Sequence, residues 1–444
     1  MSSFRRYVLS ATVSGALVAG SAGAQLLPGV GLPPVSLPAP MGNVPVAGSV
    51  LQDVLSQPQA QQVIRPTLDT VSGLPEAIAE AGAGTLLDLR RLRLQELIRS
   101  NRNQLESDGN GQPVRRGVLV AIEPDPLSLQ LAARAGLRVI ADEIDPIIGL
   151  RSVQLAVPRG MNTRDGLKRL RSAAPQLQAD YDHVFEPAGG GLMPLNAALA
   201  SVSGAGGGRV VGMIDGGVAS HPSLAGASIE QNGFSGSPQP TGHGTAVASL
   251  LVGSQGPFRG AAAGASLYVA DVYGGNRAAG SATAIVKALG WLAGHRAQVI
   301  NISLVGPPNK LVERAVLLVQ QRGIQLVAAV GNDGPAAPPQ YPASYAGVMA
   351  VTAVDGRGRA LVEAGKATHL DFAAPGADMA AALPGKGYTR VRGTSFAAPL
   401  AAARLLLAGS PARLANEARP GRGRVGRGIV CGDCRIEPRI VGAR

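Results

Sequence analysis

At 444 residues the chain is too long for one ordinary domain, so two or three units are expected. Its net charge of +12 is carried mostly by arginine, much of it before Arg171 and after Pro420, and only 3% of the residues are aromatic. With no basic face set among aromatics and no recognition motif, that charge excludes a nucleic-acid-binding protein. Beyond the N-terminus no run of roughly 18 apolar residues offers a membrane span.

Residues 1–24 read as an export signal. Arg5 and Arg6 supply the positive start, Tyr7 to Ala19 a moderately apolar stretch, and Ala22-Gly23-Ala24 a cleavage site before Gln25. General and twin-arginine export both stay open, and the mature protein is expected in the periplasm or secreted. Residues 25–115 begin Pro-, Gly- and Val-rich up to Val50 and end in a basic helix from Thr85 to Glu106. In that helix Leu86, Leu89, Leu94, Leu97, Ile98 and Leu105 recur among arginines. The expectation is a helix packed on its neighbour with its charges in solvent; a membrane surface or a partner is the alternative.

Residues 116–188 alternate between strand and helix periods. Val118 to Ile122 is a strand, Ser128 to Ala135 a helix ended by Gly136, and Leu137 to Ala141 a second strand. Val153, Leu155 and Val157 mark a third, Thr163 caps a helix carrying Leu167 and Leu170, and Tyr181 to Phe185 closes with a fourth. This βαββαβ order is the ferredoxin-like, split-βαβ arrangement of a small α+β unit. A Gly-rich junction, 189–208, follows.

From 209 to 430 strands and helices alternate again. Arg209 to Ile214, Ser266 to Tyr273, Gln298 to Leu304, Gln325 to Val330 and Val348 to Val354 read as buried strands. Ser281 to Gly294, the segment around Leu311, Ala315 and Leu318, and Thr394 to Leu407 read as helices. Repeated βα units with continuous apolar strands predict an α/β fold with a mostly parallel sheet covered on both faces. Ligands on such sheets bind beyond the carboxyl ends of the strands, where Asp215 and Asn332 fall. The tail, 431–444, holds both cysteines. Cys431 and Cys434 fit a short disulfide in an exported chain, with free thiols in a mobile tail as the alternative; one C-x-x-C is too little for zinc.

Four segments carry the chemistry: Val211-Gly-Met-Ile-Asp215-Gly-Gly, Gly242-His243-Gly-Thr245, Val330-Gly-Asn332-Asp-Gly334 and Gly393-Thr-Ser395-Phe-Ala-Ala-Pro399. They supply, in order, an acid, a base, an amide donor and a hydroxyl. A serine hydroxyl is a poor nucleophile until a histidine takes its proton and a carboxylate fixes that histidine's tautomer. In this order, over Arg209 to Val430, the set resembles the subtilisin-like serine peptidases, the subtilases. The resemblance implies the subtilisin-like three-layer fold, with Asp215, His243 and Ser395 as the triad and Asn332 as the oxyanion donor. Gly216 stands where the family has Ser or Thr, which puts the fine orientation of the acid in question. His183, His221, His295 and His369 lie outside the Gly-His-Gly-Thr context and read as structural or exposed. Pro399 is expected in the first turn of the Ser395 helix.

The same resemblance makes Ser303, Leu304 and Val305 one wall of a substrate groove, with Val305 where the family has Gly. Ala279 and Gly280 form the opposite wall, with Gly331 nearby. Protein or peptide substrates would add to the groove as a strand. The ferredoxin-like unit becomes an inhibitory prodomain, the intramolecular partner of a self-processing zymogen. No organic cofactor is implied; calcium is common in the family, but no dense acidic loop assigns ligands, so no metal site is named. An inactive subtilase-fold binding protein is the alternative, disfavoured by the intact four-residue set.

Overall fold

The computed structural model describes residues 83–188, 197–200, 208–385 and 387–443. The export signal, the Pro-rich segment after it and most of the Gly-rich junction lie outside the described residues.

The first described element is helix α1 (Ala83–Ser100). It stops short of the predicted Glu106, because Leu105 and Glu106 belong instead to a short strand, β1 (Leu105–Ser107), with Leu105 fully buried. Next come β2 (Pro113–Ile122), α2 (Pro126–Arg134), β3 (Arg138–Ile144), β4 (Arg151–Ala156), α3 (Thr163–Ala173) and β5 (Ala179–His183). Asn162, rather than Thr163, caps α3, its side chain taking the Asp165 N–H. The strands pair antiparallel in the order β5-β2-β4-β3, with β1 added beside the start of β2. This is the ferredoxin-like order.

One face of that sheet is covered by its own helices, through Leu119, Val153 and Leu155 against Leu167 and Leu170. The other face presents Val120 and Ile122, since successive side chains of β2 point to opposite faces. A sheet with helices on one face only must bury the other elsewhere. Here it packs against two helices of the larger unit.

The larger unit runs β6 (Glu186–Pro187), β7 (Val210–Asp215), β8 (Ile229–Gly233), α4 (Gly242–Val252), β9 (Ser266–Asp271), α5 (Ala282–Gly294), β10 (Val299–Ile302), β11 (Leu304–Val305), α6 (Lys310–Gln321), β12 (Gln325–Ala329), β13 (Met349–Val354), β14 (Phe372–Pro375), β15 (Met379–Leu383), β16 (Gly387–Val391) and α7 (Thr394–Ala408). Seven of these strands form one sheet in the order β14-β13-β12-β10-β7-β9-β8, every neighbour parallel. Val211 and Met213 face α4 and α7, while Ile214, Ile300 and Ile302 face α5 and α6, giving three layers. This is the subtilisin-like α/β architecture that the sequence predicts. Gly212 lies on the α5 side, where a Cβ would come within 3.1 Å of Ile300 and Leu292.

Two aspartates of β5 fasten the small unit to those helices. Asp182 accepts from the Thr283 N–H (3.0 Å) and hydroxyl (2.9 Å) in the first turn of α5. Asp180 accepts from the Lys310 N–H (2.9 Å) at the start of α6. A carboxylate at a helix N-terminus satisfies an orphan donor and faces the positive end of the dipole. Burial pushes the Asp182 carboxyl up from its ordinary range, against Arg115 and the Thr283 bonds.

Cys431 and Cys434 are joined by a disulfide. The segment around them is packed, not free: Cys431 is buried, and Ile436 sits with Phe258 and Ala380 while its carbonyl takes the Ala380 N–H.

Candidate active site

Each functional side chain stands at the end of a strand or the start of a helix. Asp215 is the last residue of β7, and its Oδ1 lies 2.9 Å from His243 Nδ1. A carboxylate can only accept, so Nδ1 carries the proton and Nε2 is left as the basic nitrogen. The same Oδ1 takes the Gly216 N–H at 2.7 Å. Backbone thus supplies the bond at the position where a hydroxyl is missing, although Oδ2 has no hydrogen-bond partner among the described residues. His243 opens α4, capped by Thr241, whose hydroxyl takes the Gly244 N–H. A Cβ on Gly244 would lie 2.4 Å from the Gly216 carbonyl oxygen. Only a glycine there lets the helix start approach the acid so closely.

Ser395 is in the first turn of α7 and fully buried. Pro399 lies further along the helix than expected, inside it. Its missing N–H leaves the Ser395 carbonyl without the i+4 donor, and the Ser303 hydroxyl supplies one at 3.1 Å. Asn301 in turn donates to that hydroxyl at 2.9 Å. Asn332 is tied to the same helix start, its Oδ1 accepting the Thr394 N–H at 3.0 Å. The Phe396 ring lies 5.4 Å from the His243 imidazole, so the four residues converge on one place. His243 Nε2 and Ser395 Oγ are both buried there, and neither has a partner among the described residues.

Residues 184–188 run as an extended strand between two of the segments named as groove walls. After β5, Val184 pairs with Ser281 and the Phe185 N–H donates to the Gly280 carbonyl (2.8 Å). Glu186 and Pro187 pair antiparallel with Val305 and Leu304, and the Ala188 N–H donates to the Ser303 carbonyl (2.9 Å). The Ala188 carbonyl accepts from the Asn332 side-chain amide. Ala279 and Gly331 are not backbone partners of this strand: the Ser235 hydroxyl donates to the Ala279 carbonyl, and the Gly365 N–H donates to that of Gly331. Gly331 instead faces Val305, whose Cγ1 a Cβ would meet at 3.2 Å.

Sequence reasoning missed the charged ring around this strand. Asp333, next to Asn332, is buried and pairs with Arg90 (3.0 Å) and Arg93 (2.8 Å) of α1. Arg93 also reaches Glu186 (3.2 Å), and Arg277 meets the other Glu186 oxygen (3.1 Å). The helix expected to turn its charges to solvent therefore spends two of them here, a correction. Asp333 and Glu186 compensate the buried charges, since a guanidinium buried without a carboxylate partner is strongly destabilising. Burial works against the Arg93 charge, but Asp333 and Glu186 outweigh it and hold its pKa above the ordinary value. Leu86 seats α1 over Gly334, where a Cβ would meet it at 2.9 Å.

The other histidines stand apart. His221 bonds Ser223 and the Gly387 carbonyl, and burial lowers its pKa; His183 bonds Asp108 and Asn309. Among the described residues no group of three or more His, Cys, Asp or Glu is arranged to hold a metal ion. Nor is any helix among them long and apolar enough to cross a membrane.

Residues 206–415 match the model of the subtilase family, Peptidase_S8. Subtilisin Savinase of Lederbergia lenta is 36% identical over 200 residues, 44% of this chain and 73% of that protein. An alkaline protease of Alkalihalobacillus alcalophilus is 36% identical over 200 residues, and there the match spans about half, 52%, of the relative's length. Fervidolysin from Fervidobacterium pennivorans has the same fold: TM-score 0.60, 19% identity, 74% of this chain and 62% of that one. With these similarities and the site geometry above, the chain belongs to the subtilase family of serine-type endopeptidases.

Proposed function

We propose that this protein is an exported, self-processing endopeptidase that cleaves peptide bonds through an acyl-enzyme on Ser395. The observation that carries the reading is the Ala188 carbonyl on the Asn332 amide, in a strand hydrogen-bonded to Ser303 and paired with Leu304 and Val305. A substrate carbonyl poised for attack needs such a donor and such a strand partner.

Ser395 Oγ attacks the carbonyl carbon as His243 Nε2 takes its proton, and Asp215 steadies the imidazolium through Nδ1–H. The oxyanion is received by the Asn332 amide and the Ser395 backbone N–H at the positive end of α7. His243 returns the proton to the leaving amine. Water, activated by the same nitrogen, then frees Ser395. None of these groups needs a cofactor.

In the full chain the bond so presented is Ala188–Gly189. Residues 116–188 are then the inhibitory prodomain, with β6 lying in the groove as a bound product would. The domain plan supported by this reading is a signal at 1–24, a Pro-rich segment and basic helix at 25–115, the prodomain, a junction at 189–208, the catalytic domain at 209–430 and a tail at 431–444. Arg5-Arg6, the apolar stretch and Ala22-Gly23-Ala24 support export to the periplasm or beyond.

One experiment tests the reading. The full chain is expressed, left to process, labelled with a fluorophosphonate and sequenced from its N-terminus. Label on Ser395 and a new N-terminus at Gly189 are expected. Absence of label, or an active protein cut only before Gln25, overturns it.

A second expectation concerns Val305. Its Cγ1 lies toward Gly331, and it shares a buried cluster with the small Ala188, so small or medium apolar residues should be preferred just before the cut. Val305→Gly should admit Phe and Tyr there. A wild-type peptide-library profile already dominated by Phe or Tyr would contradict this.

A further inference from the structure

We infer that Arg277 is a specificity-determining residue: it selects substrates with a carboxylate side chain at the third residue before the scissile bond. The inference rests on the proposed register, in which Ala188 precedes the cut and Glu186 is that third residue.

Glu186 is buried, and its two oxygens are divided between two guanidiniums. Oε2 lies 3.2 Å from Arg93 Nε and Oε1 lies 3.1 Å from Arg277 Nη2. The two cations differ in where they belong. Arg93 is on α1, in the part of the chain before the proposed cut, so it departs when that part is replaced by a substrate. Arg277 sits between β9 and α5, just ahead of Ala279 and Gly280, and stays with the groove. It is three residues from the Gly280 carbonyl that takes the Phe185 N–H. A substrate strand bonded to that carbonyl therefore carries its next side chain past Arg277.

Asp333 also stays behind, and its charge opposes an acidic neighbour. Arg93 stands between Asp333 and Glu186, bonded to both, whereas the contact of Glu186 with Arg277 is direct. At contact distance in a partly desolvated groove the direct pair dominates. The substrate class is thus an extended peptide with Glu or Asp at this position.

The test uses the full chain after self-processing, with active sites counted by fluorophosphonate titration. Three fluorogenic amides, acetyl-Phe-Xaa-Pro-Ala with Xaa as Glu, Gln or Lys, are compared by kcat/KM at low salt. Glu is expected over Gln by roughly tenfold, the scale of one charge-assisted hydrogen bond, with Lys poorest and the spread narrowing as salt rises. Arg277→Gln should bring Glu and Gln together, and Arg277→Glu should reverse the order of Glu and Lys. Damage to the fold alone would lower all three rates in common. Equal wild-type rates for the three peptides, or a Glu preference that survives Arg277→Gln, overturn the inference. If a variant fails to fold, the wild-type series and its salt dependence still decide. A protein that takes the label on Ser395 but cleaves none of the peptides, or all of them alike, overturns this inference and leaves the nucleophile standing. A protein that takes no label overturns both.

Discussion

Ser395→Ala should lower peptidase activity by about 10⁶-fold, the scale seen in subtilisin when the nucleophile of this triad is removed, without lowering the melting temperature. The second half follows from the packing. Ser395 Oγ is fully buried and has no hydrogen-bond partner among the described residues, so deleting it removes a desolvated hydroxyl and no bond. The two interactions that fix the residue, the Ser303 hydroxyl on its carbonyl and the helix itself, do not involve the side chain. The variant should also stay uncut at Ala188–Gly189. Peptide-hydrolysis assays beside thermal melts check both halves, and substantial activity in pure Ser395→Ala protein removes the assignment.

Asn332→Ala should lower kcat by roughly 10² to 10³ with little change in KM, again the scale known from subtilisin's oxyanion asparagine. Here a structural cost accompanies the catalytic one. Asn332 Oδ1 accepts the buried Thr394 N–H, so alanine leaves that donor unpaired at a cost of about 1–3 kcal/mol. Asn332→Asp separates the two effects. It keeps an acceptor for Thr394 but offers no amide donor to the Ala188 carbonyl or to the oxyanion that replaces it. Steady-state kinetics should show the aspartate variant as impaired as alanine, with less loss of stability. Near-normal kcat in either variant would mean that another group receives the oxyanion.

Much of this architecture is local in the sequence and was legible there. Val211 to Asp215 is an apolar run ending in a carboxylate, and β7 delivers Asp215 at its last residue. The alternation around Val153 and Leu155 gave β4, and the order of periods gave the ferredoxin-like unit. Three things were not legible. Strands β14 and β15 are short and rich in Ala, and β16 is a half-exposed strand of five residues, so their apolar signal is weak. The register of Glu186 to Ala188, though not the extended course of the chain after Phe185, depends on pairing with β11, more than a hundred residues away. The reach of Arg90 to Asp333 crosses 243 positions, and its reason is the carboxylate at the far end. Leucine spacing found α1 but said nothing of where its arginines go. The signal that was available is Asp333 itself, an acidic residue beside Asn332 with no nearby cation in sequence.

The clamp of α1 on Asp333 also bears on how quickly this protein can begin to work. A cut at Ala188–Gly189 would break none of the contacts that hold residues 83–188. The pairs of Arg90 and Arg93 with Asp333, the pair of Glu186 with Arg277, and the seats of Asp180 and Asp182 on α6 and α5 all join a residue before that bond to one after it through space, and none involves the bond itself. Hydrolysis only turns a tethered ligand into a free one, lowering its effective concentration from that of a linked segment to that of the solution. The onset of activity would then be set by the residence time of the severed piece. Dilution, or digestion of that piece by molecules already freed, would shorten the delay.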